Sequence, residues 1–272
     1  YGAGNAAMDS DADGTVAVGA VALNALTSGA SNVAMGYYAA SALTTADKCI
    51  AVGTGSMQVH TTGSNNIAIG YGAMDDTNHH ANTLASTDNI FLGLDSGGGT
   101  WQNNACSYNV AIGNSTMDAG MDGAVRNTCV GHGSLGAVTT GYYNVALGYE
   151  AGKVIADGNS NVALGYSALV DNVSGIRNVC VGQQAGDNIT ASENICIGYQ
   201  SGSTIASGGG NTIIGHDADV NATTGEDSTN QIVLGKEAIG QADNSVTLGN
   251  VSVTDVYMAQ DSGATVHCAG VN

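Results

Sequence analysis

Fifteen glycines, each closing a short apolar phrase, punctuate this chain: Gly4, Gly19, Gly36, Gly53, Gly70, Gly93, Gly113, Gly131, Gly148, Gly165, Gly182, Gly198, Gly215, Gly235 and Gly249. Seven of the fourteen intervals are 17 residues, and the rest run from 14 to 23. The phrase is clearest at residues 144–151 and 161–168, where Asn-Val-Ala-Leu-Gly-Tyr-x-Ala is spelled twice. A unit this short cannot bury a core alone, so the period predicts an all-β solenoid of about 15 coils that stabilise one another by stacking. At about 4.8 Å per coil the rod is roughly 70 Å long. Each coil has residues for two short strands and two turns, too few for a three-sheet cross-section. The repeat domain spans 1–250, and 251–272 form an exit segment leading toward a further domain.

Three positions define the repeat. The residue one before the glycine is Val, Met, Ile or Leu from Gly19 onward, and the residue three before is Val or Ile, except Thr128 and Thr212. Apolar residues two apart mark a strand, and β-branched ones favour it. This pair is expected to face the core. The residue between them is small and uncharged, as in Ala34, Ala51, Ala68, Ala146, Ala163, Cys180 and Cys196. A strand apolar on both faces must be covered on both. These seven residues are therefore expected to form an outward seam against a second copy of the chain.

Other positions read as structural. Gly36, Gly53, Gly70, Gly148, Gly165 and Gly182 suit turns of positive φ or close backbone approach, both of which exclude a Cβ. Three residues after each glycine stands Ala, Ser or Thr, which implies a second tightly packed ladder. Ten repeats carry Asn four residues before the glycine, a residue that can bond neighbouring backbone and, in register, stack into a ladder.

Composition excludes several classes. Five basic residues face 23 acidic ones, for a net charge of −18, so binding to phosphate backbones or anionic membrane surfaces is not expected. No apolar run reaches the roughly 18 residues of a spanning helix, so no membrane insertion is expected either. Forty-one glycines without a single proline and without a Gly-x-y triplet are not collagen. The chain opens at Tyr1 rather than Met, as a processed product or a fragment would. Three of its six cysteines occupy the small-residue position and read as fillers.

At Asn66-Ile67-Ala68-Ile69-Gly70 and Asn109-Val110-Ala111-Ile112-Gly113 the chain resembles the head domains of trimeric autotransporter adhesins. The likeness covers roughly residues 1–250. It implies a left-handed parallel β-roll, three chains about one axis, and an extracellular place where the trimer meets a host-surface glycan or protein. The longer phrase at residues 141–152 is similar to a variant of phage tail fibres, in which the roll precedes a self-cleaving chaperone of the endosialidase type. The tail from Leu248 to Cys268 is similar to the joint before that chaperone. The 23-residue interval after Gly70 and the 20-residue ones after Gly93 and Gly215 depart from the shorter adhesin repeat.

Candidate sites are few. Asp9, Asp11 and Asp13 before Gly14 repeat the first half of a calcium loop, although Ala20 stands where its bidentate Glu belongs; a solvated acidic turn fits the same residues. No other cofactor is expected. Long intervals project loops from a solenoid, so His79, His80 and Trp101 are the candidate receptor contacts. Tyrosines directly after the glycine, as at Tyr149 and Tyr166, either stack on sugar rings or seal the edge of the roll. No nucleophile motif stands in a strand-turn-helix context, and an enzyme is not expected. The chain reads as a structural, adhesive fibre segment. A polysaccharide-cleaving spike with carboxylates paired between subunits is the alternative.

Overall fold

The structure is a computed structural model that describes residues 3–4, 12–77, 85–221 and 227–256. Fourteen three-residue strands follow one another: β1 (Val16–Val18), β2 (Val33–Met35), β3 (Ile50–Val52), β4 (Ile67–Ile69), β5 (Ile90–Leu92), β6 (Val110–Ile112), β7 (Thr128–Val130), β8 (Val145–Leu147), β9 (Val162–Leu164), β10 (Val179–Val181), β11 (Ile195–Ile197), β12 (Thr212–Ile214), β13 (Ile232–Leu234) and β14 (Val246–Leu248). They form one parallel sheet in chain order, a solenoid of about 13 turns. Register is in phase with the repeat, Ala146 lying beside Ala163 and Cys180 beside Cys196. The Gly4 repeat falls almost wholly outside the described residues.

The expected second strand of each coil is absent among the described residues. Turns take its place. Two and four residues past the glycine the backbone turns left-handed even at bulky residues, as at Tyr38 (φ 58°) and Ala40 (φ 48°), or Ser167 (φ 50°) and Leu169 (φ 51°). Coil-to-coil hydrogen bonds hold these turns: Tyr38 N donates back to Ala20 O at 3.1 Å and Ala40 N forward to Ser56 O at 2.9 Å. The backbone on the far side is thus satisfied between coils without a ladder of its own.

The repeat glycines behave as their spacing implied. In the six singled out, φ lies between 131° and 145°. A Cβ on Gly148 would stand 2.6 Å from the carbonyl carbon of Gly165, so close approach alone forbids a side chain.

The faces of the strand are the reverse of those expected. Ala34, Ala51, Ala68, Ala146, Ala163, Cys180 and Cys196 are all fully buried inside the coil of a single chain. They are core residues and form no outward seam. The reason is thickness. The opposite wall contributes Met57, Met74, Met117, Leu135 and Leu169, which fill the narrow interior and leave room only for small partners. In three coils a larger strand residue meets a glycine in the wall: Phe91 occupies the space beside Gly97, Cys180 beside Gly186 and Cys196 beside Gly202. The second small-residue ladder is present, with Ala39, Ser56, Ala73, Thr116, Ser134 and Ala168 fully buried.

Asparagine builds the third ladder. Asn144 Nδ2 donates to Asn127 Oδ1 (3.1 Å) and to Gly158 O (2.8 Å), while its Oδ1 accepts from Asn161 N (3.0 Å) and Nδ2 (3.1 Å). Every hydrogen-bonding site of the amide is used. The chain of amides runs from Asn66 through Asn89, Asn109, Asn127, Asn144, Asn161, Asn178 and Asn194 to Asn211.

Candidate interaction surface

With the middle residue of each strand turned inward, the flanking pair, apolar except for Thr128 and Thr212, turns outward. Met35 (45%), Ile69 (41%), Ile112 (38%), Val130 (38%), Leu147 (40%) and Ile197 (37%) keep these fractions of their surface accessible, and Val16 and Val246 more. The result is a strip two side chains wide and fourteen strands long. Its exposed area is on the order of 1,500 Å², several times the patch an ordinary monomer shows.

Aromatic stacks border the strip. On the side that follows the glycine, His132 and Tyr149 stack at 5.3 Å and 11°, Tyr149 and Tyr166 at 5.4 Å and 7°, and Tyr199 and His216 at 5.0 Å and 24°. Tyr149 lies between two rings and presents only its edge and hydroxyl, whereas Tyr166 and Tyr199 each meet one ring and keep the other face uncovered by an aromatic neighbour. On the other border the Arg126 guanidinium lies between Tyr108 (5.3 Å) and Tyr143 (5.5 Å), with Tyr142 set edge-on to Tyr143. Sequence reasoning missed this sandwich. Its signal is the recurrence of Tyr, Arg and Tyr five residues before successive glycines.

Of the candidate receptor and metal residues, only Trp101 and Asp13 fall within the described residues. Trp101 is fully buried, its Nε1 donates to Gly97 O (3.0 Å), and its ring meets Phe91 at 5.8 Å. It anchors its loop from within and offers no receptor contact. The residues left outside are Gln102, Asn103 and Asn104, and the last two donate to the Asp122 carboxylate at 2.8–3.1 Å. Those bonds, the Asn103 side chain first, hold the Asp122 carboxyl below its ordinary pKa. His79 and His80 lie outside the described residues, as do Asp9 and Asp11, while Asp13 is exposed. Among the described residues no group of three His, Cys, Asp or Glu side chains could hold a metal ion, and no helix is long and apolar enough to cross a membrane.

Three buried or half-buried titratable groups stand out. His60 is fully buried, with Nδ1 at 3.2 Å from Thr77 Oγ1 and Nε2 at 2.9 Å from Gly63 O; burial lowers its pKa to about 4. Burial, with the charges of Asp76 and Asp95, raises Asp75 to about 6, and burial with Asp95 does the same for Asp118. No family model and no curated protein matches the chain.

Proposed function

We propose that this chain is a segment of a homotrimeric fibre, a left-handed β-roll standing on a virion tail or a bacterial exterior and bringing its loops to a host-surface glycan or protein. The outward apolar strip carries this reading. Burying roughly 1,500 Å² of apolar surface per chain at about 25 cal/mol per Å² is a large driving force, and in a lone chain all of it stays wet. A second copy is the fitting cover, because its strip has the same length and the same repeat of about 4.8 Å. Three strips turned to a common axis can each be covered by the other two. The aromatic borders would then lie where one chain's edge meets the next. The resemblance noted above supports the same stoichiometry, the extracellular setting and the adhesive role. No catalytic step belongs to this reading.

Native mass measurement tests it directly. The expected particle has three times the 26.9 kDa mass of the chain. A stable single chain at micromolar concentration would overturn the assembly. A trimer that binds no host-cell surface would leave the assembly and remove the adhesive role.

A further inference from the structure

One coil interrupts the ridge of side chains that runs beside the ring stack. Two and five residues past the glycine, neighbouring coils place Ser115 and Asp118, or Glu150 and Lys153. The coil of Gly131 places Gly133 and Gly136, and among the described coils no other has glycine at both positions. Losing two adjacent side chains opens a notch of about 340 Å³. Its floor is backbone with Ala137 and Val154, and its walls are the two flanking pairs. The walls stand two coil spacings apart, about 9.6 Å. His132 closes one end, one ring face already covered by Tyr149.

We propose that this notch binds a single neutral pyranose ring, a reading that rests on the adhesive role above and gives it a site. The volume is at the lower end of ligand pockets, which suits one sugar unit and not a chain lying lengthwise. The apolar floor matches the C–H face of a sugar. The walls offer both senses of hydrogen bond to adjacent ring hydroxyls: carboxyl oxygens of Asp118 and Glu150 accept, the Lys153 ammonium donates, and the Ser115 hydroxyl does either. Acidic sugars are disfavoured by the two carboxyls and the −18 net charge. A basic side chain is disfavoured because Lys153 already pairs with Glu150 at 2.7 Å.

Saturation-transfer NMR on the assembled protein, with the methyl glycosides of glucose, galactose and mannose as probes, tests the site. At least one probe is expected to bind in the millimolar range. Gly133→Gln fills the notch in a left-handed backbone that this fold already imposes on glutamine, since Gln184 and Gln200 occupy the equivalent position with φ of 55° and 49°. A Cβ on Gly133 would meet nothing nearer than Glu150 Cγ at 3.5 Å. This variant is expected to keep the native mass and lose about tenfold or more in affinity, and Asp118→Asn to weaken binding by a similar factor. Silence from all three probes, or full binding by Gly133→Gln, overturns the notch. Adhesion that persists in either case spares the fibre, whereas a monomeric mass sinks the fibre and leaves the notch measurable.

Discussion

A single asparagine shows how little slack a coil of this size has. Removing the Asn144 side chain takes away the acceptor of Asn161 N and Nδ2 and one donor each to Asn127 Oδ1 and Gly158 O, all buried. Buried donors without partners cost more than the bond itself is worth. Asn144→Ala is expected to lose about 3 kcal/mol or more, read as a lower guanidinium midpoint; an unchanged midpoint would mean that water replaces the ladder. His60 gives a second test. It is neutral in the fold, and its pKa of about 4 lies below the ordinary 6.5, so between those values the unfolded chain binds the extra proton. Stability therefore falls as pH drops through that window, by about 3 kcal/mol for a shift of this size. Asp75 and Asp118 act oppositely: their raised pKa values near 6 make acidification favour the fold, an effect solvent screening reduces because both are half exposed. His60→Leu copies Leu26 and Leu43 of earlier coils and isolates the histidine. From pH 7 to 4 the variant should gain on the wild type, and parallel pH curves would disprove the buried neutral state.

Period, strand and glycine were legible in the sequence because each is a local demand repeated in register. The direction of the strand was not. Its Ala and Cys positions looked like a seam because apolar residues stand on both faces, and alternation alone does not say which face is inward. The interior is narrow, so the middle residue goes in and stays small wherever the opposite wall is bulky. That follows from the distance between walls, a property of the closed coil. The left-handed turns were equally hidden, since residues such as Met57, Leu135 and Leu169 adopt them against local preference. The hint lay in Gly55, Gly72, Gly97, Gly133, Gly152, Gly186 and Gly202, which recur at those two positions. Trp101 was misplaced for a related reason, because a lone tryptophan in a long interval looks exposed until its ring is seen against Phe91 and its Nε1 bonded to Gly97 O. If the coil is the true unit, deleting residues 149–165 joins Gly148 to Tyr166 and keeps every ladder in phase. That deletion should fold and shorten the rod by about 4.8 Å, as read by small-angle scattering, whereas deleting only 149–156 should not fold.

Across the whole molecule two surfaces of opposite character run in parallel. The apolar strip asks for cover, and the acidic turns keep the remainder in water. Three of the five cations pair locally, Lys153 with Glu150, Arg177 with Glu193 and Lys236 with Glu237, all at 2.6–3.0 Å. If the strip is covered by other copies as proposed, charge placed on it should separate them and leave the coil intact. Ile112→Glu with Leu147→Glu is expected to yield single chains with an unchanged circular dichroism spectrum. The same double change at Ala111 and Ala146 should unfold the rod, because those side chains point into the core. If the alanine variant alone dissociated the particle, the inward and outward faces assigned to the strand would be wrong.

The coil-to-coil hydrogen bonds also set how the rod bears load. Nearly all of them lie along its length, so tension applied to one free end opens them a turn at a time, as tape peels from a roll. Three chains gripping one another along their strips would share that pull across every turn at once. In the proposed trimer, toughness under load would come from the neighbouring chains, and a lone copy would unwind.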